Sequence, residues 1–197
     1  MALDPRFVVF DVGETLVDET ATWERAADAA GVPRFTLMGV LGGLAARGEH
    51  HARVWEILGV ERPEGAPFLR ASLYPDAEPC LRELRSRGYR LGLAGNASRD
   101  AYAQLEVDVD FVADSTGWGI EKPAPAFFDR LAETCGCAPG EIAYVGDRVD
   151  NDVVPARAAG MVAIHLRRGP WGHMHTPPAG TPQIRSLAEL PEVLGRV

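Results

Sequence analysis

The sequence predicts an α/β fold in which a parallel sheet carries helices on both faces. The first observation is that short apolar runs alternate with segments of helical composition along most of the chain. The second is that two of these runs, residues 7–10 and 142–145, are each followed within two residues by an aspartate. Open parallel sheets bind ligands beyond the carboxyl ends of their strands, so this pattern also predicts a polar crevice there.

Each predicted strand is an apolar run of the length expected for a strand buried on both faces. The strands are predicted at residues 7–10, 91–94, 111–113, 142–145 and 162–166. Helices are predicted at residues 77–87, 98–105, 124–135, 152–159 and 186–194. Residues 167–182 are rich in Gly, Pro and His and are predicted to form a surface loop.

The stretch between the first two strands differs from the rest of the chain. Residues 18–73 have helical composition without a convincing strand, and Gly and Pro residues divide them into several short segments. Helices are predicted there at residues 23–30, 36–47, 51–58 and 67–73. We therefore predict a sheet-containing core formed by residues 1–17 and 74–197, with an all-helical insert at residues 18–73.

Composition excludes several classes of function. The chain has 197 residues, 46% of them hydrophobic, a formal charge of −8 and a pI near 5.1. This charge gives no electrostatic reason to bind nucleic acid or an anionic membrane, so neither partner is expected. No signal sequence or membrane-spanning run is evident, which predicts a cytoplasmic location. The oligomeric state is not predicted.

The cysteines and histidines do not indicate a soft-metal site. Cys80, Cys135 and Cys137 are too few for a disulfide framework and have poor zinc spacing, so they are predicted to be reduced structural thiols. The histidine pairs at positions 50 and 51 and at 173 and 175 are predicted to be solvated surface residues.

Lys122 is the only lysine among the 20 basic residues. In a chain that otherwise uses arginine, a single lysine indicates a position that needs a compact ammonium group. Asp11 follows the first strand, and Asp147 and Asp152 flank a later strand-to-helix turn. Clustered carboxylates need a counter-ion, and a hard oxygen-ligand set with open coordination positions is typical of Mg²⁺. Such a site also suits a phosphate oxygen, with the lysine neutralising further charge.

These residues lie in motifs that resemble those of the haloacid dehalogenase superfamily. The matching stretches are residues 10–16, 73–76, 88–96, 121–125 and 144–152, extended by 158–161 and 168–170. The resemblance implies a Rossmann-like core in which Asp11 is the nucleophile and Lys122 is the lysine of the third motif. It implies a metal site formed by Asp11, the Gly13 carbonyl, Asp147 and Asp152. The helical insert would then be a small type-one cap that closes over the crevice and helps to select the substrate.

Two glycines depart from the pattern of that family. Its phosphatases usually carry a second aspartate two residues after the nucleophile, as general acid and base, and here that residue is Gly13. A positioned acid or base contributes about 10²- to 10⁴-fold in rate. A serine or threonine usually ends the second-motif strand and binds phosphate, and here that residue is Gly95. Backbone N–H groups near Gly95, Asn96 and Ser98 can still hold an anion.

Three functions remain open from the sequence. The first is a magnesium-dependent phosphatase of a small-molecule phosphate ester, in which Glu14, a cap residue or bound water supplies the missing acid and base. The second is a 2-haloacid dehalogenase-type hydrolase, which also lacks the second aspartate. The third is a catalytically weak phosphate-binding or regulatory protein. A phosphonate-cleaving enzyme is excluded because it needs a cap lysine, and residues 1–75 contain no lysine.

Overall fold

A six-stranded parallel sheet forms the centre of the molecule. The computed structural model describes residues 5–65 and 67–195, so residues 1–4, Ala66 and 196–197 of the predicted domain ranges lie outside it. The strands lie in the order β3-β2-β1-β4-β5-β6. They are β1 (Phe7–Phe10), β2 (Arg90–Gly95), β3 (Phe111–Asp114), β4 (Ile142–Gly146), β5 (Val162–Leu166) and β6 (Gln183–Ile184). The parallel α/β fold predicted from the sequence is confirmed, and β6 is an additional edge strand.

The register of the central strands aligns their carboxyl ends. Phe10 of β1 pairs with Leu93 of β2 and Val145 of β4, and all of these pairings are parallel. Asp11 therefore leaves the sheet beside the ends of both neighbouring strands. The order of the strands reverses at β1, which is where ligands of open α/β sheets bind.

Helices cover both faces of the sheet. The α-helices are α1 (Thr20–Ala29), α2 (Arg34–Ala46), α3 (Arg53–Leu58), α4 (Ala77–Ser86), α5 (Arg99–Tyr102), α6 (Ser115–Trp118), α7 (Pro125–Cys135), α8 (Val154–Ala158), α9 (Gly169–Met174) and α10 (Leu190–Leu194). Residues of α4 and α10 pack with Val8 and Phe10 on one face. Residues of α7 and α8 pack with Phe7 and Val9 on the other, as the alternation of side chains along β1 requires.

Several predicted helices are shorter than expected or interrupted. The predicted helix at 67–73 is a 3₁₀ turn at Arg70–Ser72, and the one at 98–105 ends in a 3₁₀ turn at Ala103–Leu105. A π-helical turn at Val149–Val153 precedes α8. This wider turn begins two residues after Asp147 and contains Asp152, so it shapes the acidic end of β4.

The segment between β1 and β2 forms its own apolar cluster. Helices α1, α2 and α3 bury Ala27, Leu37, Leu44 and Val54 against one another. Two chain segments connect these helices to the sheet and run side by side. Val17 and Leu73 form an antiparallel bridge, and the backbone N–H of Asp18 donates to the Ser72 carbonyl. These contacts join the chain just before α1 to the chain just before α4.

The prediction of a surface loop at 167–182 is wrong for its first half. Residues Gly169–Met174 form α9, and Trp171 is buried in the cluster of the helical insert. Gly and Pro composition concealed this helix, although Pro170 fits the first turn of a helix. Trp171 therefore connects the core to the insert through apolar contacts.

Two histidines also differ from the prediction of a solvated surface. His51 is half-buried between Trp23 and Trp171, with ring centroids 5.8 and 6.2 Å away. The Nε2 atom of His175 lies 3.0 Å from the carbonyl oxygen of Ala45, within hydrogen-bond distance. His50 and His173 are exposed as predicted. The apolar surface of the insert and of α9, which the sequence pattern did not show, explains the difference.

Two other predictions concern thiols and membranes. Cys80, Cys135 and Cys137 are free, as predicted. Among residues 5–65 and 67–195, no single helix is long and apolar enough to cross a bilayer, although α1 and α2 meet that criterion when joined across a 119° bend.

Candidate active site

Asp11 and Lys122 form the centre of the crevice at the end of β1. Lys122 Nζ donates hydrogen bonds to Asp11 Oδ1 at 2.7 Å and to Asp152 Oδ1 at 2.6 Å. Burial by itself lowers the pKa of Lys122, but Asp11 and Asp152 outweigh it and raise that pKa well above its usual value. The ammonium is therefore charged, and it fixes the orientation of both carboxylates.

Three carboxylates converge beside this lysine. One oxygen each from Asp11, Asp147 and Asp152 lies within 4.8 Å of the others, and Asp147 and Asp152 are buried. Burial, together with the charges of Asp152 and Asp11, raises the pKa of Asp147 well above its ordinary value. The cluster therefore holds more negative charge than Lys122 alone compensates, which is the condition that favours a bound cation.

Asn96 holds the backbone of Lys122 in place. Its side-chain Nδ2 donates to the Lys122 carbonyl at 2.8 Å, and its Oδ1 accepts from the Lys122 N–H at 2.7 Å. Ser98 begins α5 by accepting a hydrogen bond from the Ala101 N–H at 3.3 Å. Both residues follow β2 at the edge of the crevice, and their side chains are engaged within the protein.

Tyr102 fills the space beside Gly95. A Cβ atom placed on Gly95 would lie 2.7 Å from the Tyr102 hydroxyl and 2.9 Å from Asp11 Oδ1. The Tyr102 ring stacks on Phe68 with centroids 5.8 Å apart. Burial, and next the charge of Asp11, raises the pKa of Tyr102, so the hydroxyl keeps its proton. A hydrogen-bond donor is therefore located next to the predicted nucleophile.

Glu14 connects the two segments at the base of the insert. Its Oε2 accepts from the Tyr74 hydroxyl at 2.7 Å, and its Oε1 accepts from the Glu19 N–H at 2.9 Å. Its backbone has a positive φ of 52°, a region that costs energy for a residue with a side chain. Both carboxylate oxygens of Glu14 are thus occupied by donors of the protein.

Glu19 fills the space beside Gly13. A Cβ atom placed on Gly13 would lie 2.9 Å from Cδ of Glu19 and 3.0 Å from each of its carboxyl oxygens. Burial, and next the charges of Glu14 and Asp11, raises the pKa of Glu19 to about 8. Glu19 is thus a further acidic side chain at the site, and it lies adjacent to Gly13, which has no side chain.

Arg148 and His51 form the contact between the insert and the acidic crevice. The Arg148 guanidinium pairs with Asp150 at 2.6 Å and lies 5.1 Å from the centre of the Trp171 ring. Arg148 Nη1 lies 3.5 Å from His51 Nδ1 of the insert. Burial, and next the charges of His50 and Arg148, lowers the pKa of His51 to about 3. His51 is therefore neutral at physiological pH.

Three parts of the chain meet at the site. They are the residues that follow β1, the residues that follow β4, and the segment before α7. Asp11, Lys122, Asp147 and Asp152 meet at one point, and Gly13 lies two residues from Asp11. Sequence reasoning missed Glu19, Tyr102, His51 and Arg148. No spacing pattern marks Glu19, Tyr102 and His51, because their positions depend on how the insert and α5 fold back over the sheet. Arg148 lies within the matched stretch 144–152, but its contact with His51 appears only in the folded protein.

Comparison with known proteins identifies the family. Residues 5–160 match the family model described as a haloacid dehalogenase-like hydrolase. The chain belongs to this hydrolase family. A curated phosphoglycolate phosphatase of Nitrosococcus oceani is 31% identical in an alignment that covers 86% of this chain and 87% of that protein.

A shorter sequence match and a structural match show further similarities. A glyceraldehyde 3-phosphate phosphatase of Methanopyrus kandleri is 37% identical over 107 residues, 51% of this chain and 46% of that protein. The match therefore spans about half the length of that relative. The solved structure of an L-2-haloacid dehalogenase superposes with a TM-score of 0.74 at 20% identity, covering 98% of this chain and 99% of that one. This likeness shows the shared fold.

Proposed function

We propose that this protein is a magnesium-dependent phosphatase that hydrolyses a small-molecule phosphate ester with Asp11 as its nucleophile. The observation that carries the proposal is the buried group in which Lys122 bonds Asp11 beside Asp147 and Asp152. The ammonium holds Asp11 oriented for attack on phosphorus. Two relatives are named as phosphatases of glyceraldehyde 3-phosphate and phosphoglycolate, which supports a small phosphorylated substrate.

The donor set of the acidic cluster fits Mg²⁺. Carboxylate oxygens are the ligands that Mg²⁺ prefers, and the excess negative charge around Asp147 needs a cation. Asp11, Asp147 and the Gly13 carbonyl would hold the ion, with Asp152 as a direct ligand or as a partner of those ligands. When bound, the ion would neutralise charge on the phosphate and leave coordination positions for its oxygens.

Residues 18–73 are proposed to form a cap over the crevice. The insert joins the core through two adjacent chain segments and places Glu19 beside Gly13 and His51 beside Arg148. An insert attached in this way can exclude water from the reacting phosphate and select the organic part of the substrate. A cytoplasmic location stays a prediction.

Phosphate binding without turnover is a second candidate function, because Gly13 cannot supply an acid or base. A 2-haloacid dehalogenase is a third candidate function, and Gly13 is compatible with it as well.

The test of these candidates is a turnover panel with and without Mg²⁺, comprising glyceraldehyde 3-phosphate, phosphoglycolate, p-nitrophenyl phosphate and 2-chloropropionate. Magnesium-dependent phosphate release that is lost in Asp11→Asn is expected.

The outcomes of this panel separate the three candidates. Inorganic phosphate binding without hydrolysis of any ester would favour the binding protein. Chloride release without phosphate release would favour the dehalogenase. Either result contradicts the phosphatase proposal. Asp129→Asn, on the exposed side of α7, is the matched control and is expected to behave like the parent.

A further inference from the structure

The space beside Gly13 is filled by an acidic side chain of the insert. The Glu19 carboxyl lies where a side chain on residue 13 would be, with its oxygens 3.0 Å from the position of a Cβ atom there. A carboxyl group on a residue at 13 and the carboxyl of Glu19 would compete for this volume. We propose that Glu19 is the general acid and base of this hydrolase, an assignment that rests on the phosphatase function proposed above.

Neighbouring residues hold Glu19 in place. The Trp23 side chain makes a hydrogen bond to the Glu19 carboxyl. The Glu19 backbone N–H donates to Glu14 Oε1 at 2.9 Å. Glu14 itself is occupied on both oxygens, by Tyr74 and by this N–H, so its role is to position Glu19 and the base of the insert. Of the two glutamates, Glu19 is the one whose carboxyl faces position 13.

The proposed proton transfers balance over one turnover. In the first step, an Asp11 oxygen bonds to phosphorus while the bond from phosphorus to the leaving oxygen breaks. That oxygen keeps the electron pair and takes the proton of Glu19, which gives alcohol, aspartyl-phosphate and a Glu19 carboxylate. In the second step, Glu19 takes a proton from water as the water oxygen bonds to phosphorus. The bond from phosphorus to Asp11 then breaks, which releases phosphate and restores both side chains.

The test compares Glu19→Gln with the parent on two esters, the alkyl phosphate with the highest turnover in the panel and p-nitrophenyl phosphate. Loss of the acid should reduce kcat/KM for the alkyl ester by about 10²-fold or more. The nitrophenolate leaving group needs no proton, so its release should show a burst of one equivalent followed by slow turnover of the phosphorylated enzyme. Glu24→Gln on α1, the helix that begins directly after Glu19, is the control and should match the parent.

Several outcomes would overturn the role of Glu19. Equal losses on both esters without a burst would show that Glu19 only positions other groups, and unchanged alkyl-ester turnover would show no role. A parent that hydrolyses neither ester would overturn the phosphatase function and this role with it. In a second variant set, Gly13→Asp combined with Glu19→Ala should recover at least about tenfold of the alkyl-ester turnover lost in Glu19→Ala alone, because it restores a carboxyl in the same space.

An independent observation concerns the space beside Gly95. The Tyr102 hydroxyl and Asp11 Oδ1 both lie within 3 Å of the point where a Cβ atom on Gly95 would be. A hydroxyl-bearing residue at position 95 would have its oxygen in this region. We infer that Tyr102 donates the hydrogen bond to the substrate phosphate that a side chain of residue 95 would otherwise supply, again on the basis of the phosphatase function.

Tyr102→Phe tests this assignment through affinity for inorganic phosphate. The ring still stacks on Phe68, so the fold should be retained. Loss of one hydrogen bond to a charged group should weaken phosphate binding by about 10- to 100-fold, measured by calorimetry with Mg²⁺ present and as competitive inhibition. KM for the phosphate ester should rise as phosphate binding weakens. Phosphate affinity and KM within twofold of the parent would overturn the role of Tyr102 and leave the phosphatase function unaffected.

Discussion

Lys122 Nζ donates a hydrogen bond of 2.7 Å to Asp11 Oδ1, and the lysine side chain is only 1% exposed. The ammonium is enclosed on its other side by Asp152, at 2.6 Å, and by the ring of Tyr144. These groups contact a compact ammonium directly, and a planar guanidinium is wider than an ammonium. The identity of this residue is therefore constrained by shape as well as by charge.

Lys122→Arg is expected to lower the free energy of unfolding by about 1 to 3 kcal/mol through overpacking. It should also reduce turnover, because Asp11 loses its fixed orientation. Thermal unfolding and steady-state kinetics measure the two effects. The control is the opposite exchange at the surface, Arg130→Lys, where the side chain is 57% exposed. An arginine variant that matches the parent in both assays contradicts the role of Lys122.

Asp147→Asn should have opposite effects without and with Mg²⁺. Without metal, the variant should be more stable than the parent, since burial and the charges of Asp152 and Asp11 already raise the pKa of Asp147. With Mg²⁺ at about 100 times its dissociation constant for the parent, the free energy of unfolding of the parent should rise by about 2.7 kcal/mol. That of the variant should rise clearly less. Calorimetry and unfolding in both conditions test this, with Asp129→Asn as control. Equal Mg²⁺ affinity in parent and variant would refute the proposed ligand.

The burial of His51 is expected to lower the free energy of unfolding of the protein at acidic pH. Burial lowers its folded-state pKa to about 3 from the ordinary value of 6.5. Between these pH values the unfolded chain binds a proton that the folded protein does not, so the free energy of unfolding falls as the pH falls through this window. The contribution should be about 1 to 2 kcal/mol at pH 5, measured as the change in Tm.

Replacing the ring tests this assignment. His51→Phe cannot be protonated and keeps an aromatic contact with Trp23 and Trp171. Its Tm should therefore fall less steeply than that of the parent between pH 6.5 and pH 5. His173→Phe, at an exposed position, should keep the slope of the parent. Equal slopes in all three proteins would show that His51 titrates normally.

Trp171→Ala should destabilise the protein by about 3 to 5 kcal/mol, as expected for removal of a buried tryptophan. Trp171 lies on α9 of the core but packs in the apolar cluster of the insert. Met174→Ala on the same helix is the matched control, since Met174 is 57% exposed and should change stability by about 0.5 kcal/mol or less. Similar Tm values for the two variants would mean that the insert does not depend on this contact.

The sequence predicted those parts of the fold and site that follow from local patterns. The central strands were evident because each is an apolar run of four or more residues, and Asp11 and Asp147 come directly after β1 and β4. The two-residue strand β6 is too short to show any pattern. Glu19 and Tyr102 reach the site only through tertiary packing, which no spacing rule encodes. The same is true of Trp171, whose glycine- and proline-rich surroundings indicated a loop.

The position of Trp171 limits how freely the helical insert could be exchanged between related proteins. Its apolar cluster is completed by a side chain that lies more than 90 residues after the insert ends, in a part of the chain beyond the matched family segment of residues 5–160. An insert transplanted alone would therefore leave a cavity where the indole had been, and a core deprived of its insert would expose that indole to water. Recombination that moves residues 18–73 should succeed only when α9 moves with them.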